Sequence, residues 1–351
     1  MCSIYSREVE PASNGRFAGR HVTTHSAAQH IDCRRGVAMS HYVADACAPR
    51  ADRDISICLG IATVGRAAVL RETLADIGRQ TRQPEQVIIC HATAADVGGI
   101  GAGDGPDGVA LRCITTQPGL PRQRNVILEA AANFDLILFI DDDFVMAPRY
   151  IEAVARVFQE NSGVVAATGD LIHDDARGPG MTPEAGRALI AQDILDRGDA
   201  LNTTWRPAPH GYGCNMALRL ATVRAHGLRF DERLPLYGWS EDIDFTHRLA
   251  RYGTIAKLAG ARGVHLGVKQ ARSAGRRLGY SQVANPVYLL RKGSYSPGRA
   301  GRSVARNLAA NFARAAWPEP YIDRRGRLAG NLLALADMCR GRMRPERILD
   351  L

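Results

Sequence analysis

The chain has 351 residues and a net charge of +9, with 46% hydrophobic and 23% charged residues. These proportions fit a globular protein with room for one large α/β domain and extensions, or for two domains. No apolar stretch is long enough for a membrane span, no secretory leader is visible, and eight cysteines without a Cys-x-x-Cys pair argue against zinc and disulfide frameworks.

A reducing cytoplasm is therefore the expected compartment. The basic balance suits nucleic acid, an anionic membrane surface or a phosphate-bearing substrate, and does not choose among them.

Residues 1–53 are rich in Arg, His, Ala and Ser and show no sustained apolar period, which predicts a poorly ordered extension. From Ile55 the pattern changes. Ile55 to Ile61 reads as a strand, and Leu70, Leu74 and Ile77 recur at helical spacing. Val87 to Cys90 and Val109 to Ile114 read as strands. Pro121 opens a helix through Ala131, as proline suits a first helical turn. Leu136 to Ile140 is the next strand, and Pro148 opens a helix with Ile151, Val154 and Phe158 on one face. Val164 to Thr168 is a further strand. Strands alternating with amphipathic helices predict a doubly wound, mostly parallel sheet.

Beyond Thr168 one helix is expected near Ala185 to Leu195, and Cys214 to Arg219 reads as a strand. Ser240 is placed to cap a helix reaching Tyr252, with Gly253 as its stop, and Thr254 to Leu258 forms a last short strand. From Arg299 the chain is basic and striped: Val304, Leu308 and Phe312 form one apolar stripe, and Leu328, Leu332 and Leu335 another. Such helices either lie on an anionic membrane or pack on the preceding domain with solvated arginines.

Two acidic clusters carry the chemistry. Asp141-Asp142-Asp143 ends an apolar strand, which puts hard oxygen ligands at the carboxyl edge of a sheet, where open α/β folds bind ligands. A divalent cation such as Mg²⁺ or Mn²⁺ would neutralise their repulsion; an acidic turn leading to Pro148 is the plainer alternative. About a hundred residues on, Trp239-Ser240-Glu241-Asp242-Ile243-Asp244 opens a predicted helix. Its acids complement the helix dipole, or one of them faces a cleft as a general base. Trp239 offers a flat face for a sugar ring, or is a core aromatic.

In order along the chain, the blocks Ala62-Thr63-Val64-Gly65-Arg66, Gln80-Thr81-Arg82-Gln83-Pro84, Gly119-Leu120-Pro121-Arg122-Gln123-Arg124-Asn125, Phe139-Ile140-Asp141-Asp142-Asp143, Gly213-Cys214-Asn215-Met216-Ala217-Leu218-Arg219, Phe230-Asp231-Glu232 and Glu241-Asp242-Ile243-Asp244 stand at family-like spacing. Together, from about Ile55 to Leu290, they resemble the family 2 glycosyltransferases, inverting nucleotide-sugar enzymes of the GT-A fold. The resemblance implies an α/β, Rossmann-like, mostly parallel sheet flanked by helices over residues 54–296, with a basic amphipathic helical tail over 297–351. It implies Asp242 as general base with Glu241 supporting the acceptor. Thr63, Arg66, His91, Arg124, Asp141 and Asp142 would bind the donor nucleotide, and Asp143, Asp141 and His265 would hold Mn²⁺ or Mg²⁺. Trp239 and Asn215 would meet the acceptor.

The implied partners are a nucleoside-diphosphate sugar, a UDP-sugar first, and a sugar or lipid-linked acceptor of cell-surface polysaccharide or glycolipid synthesis. An anionic membrane surface at the inner face of the cytoplasmic membrane is a further expected partner, and nucleic acid is not expected. Two departures fall in the nucleotide pocket. The family's aspartate after the second strand is replaced within Cys90-His91-Ala92-Thr93, and Val64 and Gly65 stand for its tyrosine and asparagine. Rival readings are a nucleotidyltransferase, disfavoured by the absence of a glycine-rich phosphate loop with lysine, a catalytically degenerate sugar-nucleotide binder, and a basic nucleic-acid module, disfavoured by the acidic clusters.

Overall fold

The computed structural model describes residues 54–270 and 274–351. The expectation for residues 1–53 lies outside them.

The described chain begins with alternating strands and helices: β1 (Ile57–Ala62), α1 (Ala67–Gly78), β2 (Gln86–His91), a short α2 (Ala94–Val97), β3 (Ala110–Thr115), α3 (Leu120–Ala130) and β4 (Leu136–Asp141). There follow β5 (Phe144–Met146), α4 (Tyr150–Glu160), β6 (Val164–Asp174), α5 (Pro183–Arg197), β7 (Trp205–Pro207), β8 (Asn215–Arg219), α6 (Leu220–Ala225), α7 (Glu241–Leu249) and β9 (Thr254–His265). Three longer helices complete it: α8 (Gly275–Lys292), α9 (Pro297–Ala313) and α10 (Arg324–Cys339).

The strands form one sheet in the order β3-β2-β1-β4-β8-β6-β9-β5, with β7 against β9. β1 pairs in parallel with β2 and β4, and β6 with β9, whereas β8, β5 and β7 run the other way. The sheet is therefore mixed, with its main strands pointing to one edge. Successive side chains on a strand face opposite sides. Ile57, Leu59 and Ile61 join Leu70, Leu74, Ile151, Val154 and Phe158 in one core layer. Ile137 and Phe139 join Ile127, Leu220, Phe245 and Leu249 in the other. Helices thus cover both faces, as strands buried on both sides require.

β6 and β9 outrun their predicted lengths and pair almost to their ends, through register shifts, so that Asp174 stands beside His265. Ser240 precedes α7 but does not cap it through its side chain; it sits in the left-handed region with φ of 71°. α8 is a helix that the sequence pattern does not announce, because Gly275, Gly279 and Pro286 interrupt it. Two of its contacts explain the glycines. A Cβ on Gly279 would fall 2.0 Å from the Arg327 carbonyl oxygen, and one on Gly330 would fall 2.1 Å from that of Arg276. Only glycine lets α8 and α10 approach so closely.

The C-terminal stripes are packed on the preceding chain only in part. Val304 and Leu335 pack on the core of Tyr280, Val283, Ala284, Ala334 and Ile348. Phe312 and Leu332 remain 73% and 54% exposed, and Trp317 between their helices is 87% exposed. α8, before the expected boundary at residues 296/297, shares this core with α10 beyond it. No helix among the described residues is long and apolar enough to cross a membrane.

Candidate active site

The main strands end on one edge, and each end supplies a polar side chain: Thr63 just after β1, His91 on β2, Asp141 on β4, Asp174 on β6 and His265 on β9. This convergence follows from the topology. β5 folds back against β9 with Phe144 opposite His265, so Asp143, one residue earlier, meets a histidine far away in sequence. The backbone seals the junction: Leu266 N–H donates to the Asp143 carbonyl at 2.9 Å, and Val268 N–H to its carboxylate at 2.8 Å.

Asp141, Asp143 and His265 each present one ligand atom, and these atoms lie within 4.8 Å of one another. His265 Nε2 is 3.5 Å from Asp143 Oδ1 and 3.9 Å from Asp141 Oδ2. Asp143 Oδ1 is buried and makes no hydrogen bond. Two carboxylates, one with an unsatisfied buried oxygen, and an imidazole nitrogen fit a divalent cation.

The sequence reading missed Asp174 and Tyr212. Asp174 Oδ1 lies 2.9 Å from His265 Nδ1, and the Tyr212 hydroxyl donates to Asp174 Oδ2 at 3.0 Å. A carboxylate on Nδ1 keeps the hydrogen there and turns Nε2 toward the aspartates, a common support for a metal-binding histidine. His173-Asp174-Asp175 at the end of a strand was the available signal. Burial opposes charge on His265, but the carboxylates of Asp143 and Asp174 beside it outweigh that and raise its pKa to about 10. Burial likewise opposes charge on Asp143, yet the facing His265 and Arg66 hold it at about 2.

Asp142 points elsewhere. Its oxygens accept from the Thr63 hydroxyl at 2.6 Å and from Arg66 at 2.8 Å, and burial raises its pKa to about 6 against the pull of Arg66. Thr63, Arg66 and Asp142 thus form one set tying β1 to β4, and Arg66 also donates to the carbonyls of Val268 and Gln270. His91 is buried with Nδ1 2.9 Å from the Thr93 carbonyl and Nε2 3.4 Å from the Thr115 hydroxyl. The following loop is closed by Asp96, which accepts from the N–H groups of Gly65, Ala92 and Thr93.

Arg124 occupies the centre. It is 2% exposed, pairs with Glu241, donates to the Gly213 carbonyl at 2.7 Å and reaches Asp141 at 3.4 Å. Its guanidinium also lies 5.5 Å and 5.6 Å from the ring centroids of Phe139 and Phe230. Removing one member of such a buried pair costs about 3–5 kcal/mol, so this arginine also holds the fold. Burial raises the Glu241 pKa to about 8, with Arg124 pulling it down. Glu241 Oε2 and Trp239 Nε1 are buried and unpartnered by hydrogen bonds. Asp242, beside them, is half-buried, with Oδ2 accepting from Gly213 N–H at 2.9 Å and Oδ1 from Ile243 N–H at 2.8 Å. Asn215 is fully buried in the sheet, where its oxygen takes the Thr168 hydroxyl, and it shows no surface to a cleft.

Comparison with known proteins fits this geometry. The family model for Glycosyltransferase like family 2 matches residues 56–264. No curated protein matches the chain. Among solved structures, a mannosyltransferase from Pyrobaculum calidifontis in complex with GDP-Man and Mn²⁺ is 16% identical, over 86% of this chain and 87% of that one, with a TM-score of 0.49. Glucosyl-3-phosphoglycerate synthase from Mycobacterium tuberculosis, with Mn²⁺, UDP and glucosyl-3-phosphoglycerate, is 18% identical over 71% of this chain and 84% of that one, at 0.45. TarS 1-349 of S. aureus with UDP-GlcNAc is 15% identical over 75% and 74%, at 0.44. With its family match covering most of the sheet, and carboxylates gathered where the main strands end, the chain belongs to the family 2-like glycosyltransferases.

Proposed function

We propose that the chain transfers a sugar from a nucleoside-diphosphate sugar to a hydroxyl acceptor, with a divalent cation and with inversion at the anomeric carbon. The carrying observation is Arg124, one buried guanidinium that reaches Asp141 of the cation cluster and Glu241 next to Asp242. The diphosphate side and the acceptor side are thereby one electrostatic unit.

Asp242 is the base in this reading. Two backbone N–H groups orient its carboxylate, and it stays open enough to meet a substrate. It takes the acceptor's hydroxyl proton as that oxygen bonds to the anomeric carbon. The sugar–diphosphate bond breaks in the same step, its electron pair leaving with the diphosphate. A single displacement inverts configuration and needs no side-chain nucleophile. When bound, Mn²⁺ or Mg²⁺ on Asp141, Asp143 and His265 would neutralise the charge developing on the diphosphate. The free polar atoms of Glu241 and Trp239 are the natural partners for acceptor hydroxyls.

His91 ends β2, on the side where this reading seats the nucleotide. A carbonyl only accepts, so His91 Nδ1 carries the hydrogen toward Thr93 O, and Nε2 faces the Thr115 hydroxyl. Every nucleobase offers an N–H or amino donor, so this histidine does not choose among the bases; a UDP-sugar is the first donor to test. The test is a panel of UDP-, GDP-, CDP- and ADP-sugars with Mn²⁺, reading diphosphate release and the anomeric configuration of the product. Release with a UDP- or GDP-sugar and an inverted product is expected. A retained configuration, or no release with any of these donors, overturns the reading.

We also place the acceptor at an anionic membrane surface, as expected for surface-glycan or glycolipid synthesis. Exposed Phe312 and Trp317, with exposed Arg302, Arg306, Arg314 and Arg325 around them in sequence, support this. Each basic residue near such a surface contributes about 1 kcal/mol, screened by salt. Deleting the tail would strip α8 of its core partners, so point variants are the proper probe. Affinity for phosphatidylglycerol vesicles at low salt, read by co-sedimentation, should fall about a hundredfold or more in Phe312→Ser/Trp317→Ser, since burying each ring contributes about 1.5–3 kcal/mol. Equal binding by that variant means that these rings do not dock.

A further inference from the structure

Away from the strand-end cluster, a hollow of about 420 Å³ opens between α8 and the segment Met343–Pro345. Its charged lining is entirely cationic: Arg233, Arg291, Lys292 and Arg344, around Tyr288. We propose that this cleft is a second anion site, which binds a phosphate-bearing group on the flank of α7. The assignment rests on the cleft's own charges and holds whether or not Asp242 is the base.

Two of the cations are built into place. The Arg233 guanidinium lies 4.8 Å from the Tyr288 ring centroid and bonds Glu346 at 2.6 Å. Lys292 Nζ bonds Asp231 at 2.6 Å and Asp244 at 2.8 Å, and the Tyr288 hydroxyl donates to Asp231 at 2.8 Å. Those acids stand behind the cleft and do not line it. The other two cations are left over. Arg291 has no ion pair or hydrogen bond among the described residues, and Arg344 reaches a carboxylate only at Asp350, 3.8 Å away and half exposed.

Arg233 and Lys292 are balanced by their acids, so the charge left for an anion in the hollow is that of Arg291 and Arg344. Fixed Arg233 and Lys292 lose little freedom on binding, and guanidinium forks match phosphate oxygens in pairs. A second hollow of about 500 Å³ shares Met343 and Arg344 with the first and is lined by Arg342 and Arg347 together with Asp337. The cleft is also joined to the site. Lys292 holds Asp244, two residues beyond Asp242 on α7, and Arg233 opens the segment that leads to Trp239. A phosphate bound here would lie on the acceptor side of the enzyme. It can belong to a soluble phosphorylated compound or to a lipid headgroup.

The probe is inorganic pyrophosphate, titrated calorimetrically into the full chain in EDTA. Binding that saturating UDP does not displace is expected, weakened tenfold or more in Arg291→Glu/Arg344→Glu. Both side chains are exposed, so the variant should keep its melting temperature and its UDP–Mn²⁺ affinity. No pyrophosphate binding, equal binding by the variant, or complete displacement by UDP overturns the proposal. Phosphatidylglycerol vesicles then separate the sources. Sedimentation lost in the variant and reversed by pyrophosphate assigns a headgroup; sedimentation unchanged beside lost pyrophosphate binding assigns a soluble ligand.

Discussion

Asp143→Ala should abolish Mn²⁺-dependent donor binding while the sheet still folds. Asp143 is 1% exposed, and its free Oδ1 points to the same space as Asp141 and His265. Without it, one carboxylate and one imidazole remain, too few hard donors to hold Mn²⁺ against water. The substitution also removes the acceptor of the Val268 N–H bond and a contact 3.4 Å from Arg66, a cost of about 1–3 kcal/mol. Asp143→Asn separates the two effects, because it keeps the shape and one acceptor oxygen. In the wild type, Mn²⁺ at a hundred times its dissociation constant should add about 2.7 kcal/mol of apparent stability. Both variants should lose that shift in thermal melts with UDP present, and calorimetry should show no Mn²⁺ uptake. Sugar transfer undiminished by full chelation of divalent ions would sink the metal assignment.

How far this site could be read from sequence depends on how local each determinant is. β1 to β4 are buried apolar runs bounded by turns, so their pattern shows directly, and Asp141 to Asp143 follow at the end of one of them. The length of β9 was not legible. Ala259-Gly260-Ala261-Arg262-Gly263 looks like a break, yet its glycines answer crowding by distant segments: a Cβ on Gly260 would fall 1.9 Å from the Asn202 carbonyl oxygen, and one on Gly263 would fall 2.4 Å from the Phe144 ring. Carrying β9 to His265 is what brings that histidine to Asp174, so the missed strand length and the missed carboxylate have one cause. α8 was hidden likewise, since Gly279 is there for α10 and not for helix propensity. Ser240 misled for a different reason. Ser before an acidic helix start matches a cap, but the chain enters α7 through a left-handed residue that turns Trp239 and Glu241 inward. Family likeness supplied Asp242 and His265; no local pattern would have set them above other acids and histidines.

Asp242→Asn should cut turnover by about 10²- to 10⁴-fold and leave donor binding nearly intact. The amide keeps the size of the carboxylate but cannot take a proton at neutral pH. It also cannot accept from both Gly213 N–H and Ile243 N–H, because one of its two positions now donates. Losing one such bond costs about 1 kcal/mol, far less than the fold needs. Glu241→Gln is the necessary comparison. Glu241 is 4% exposed, with its pKa raised to about 8 by burial; its Oε1 is committed to Arg124 and only Oε2 is left for an acceptor hydroxyl, so it supports the acceptor without serving as base. Its amide should weaken the buried pair and lower stability in urea titrations, with a smaller effect on kcat than Asp242→Asn. Donor affinity, read by UDP–Mn²⁺ calorimetry, should stay within a few-fold for Asp242→Asn, since Asp141, Asp143 and His265 are untouched. The reverse ranking, with turnover lost in Glu241→Gln and kept in Asp242→Asn, would move the base to Glu241. Arg124 would then have to release its partner when substrate binds, and the half-buried Asp242 would serve only to pin the Gly213 turn.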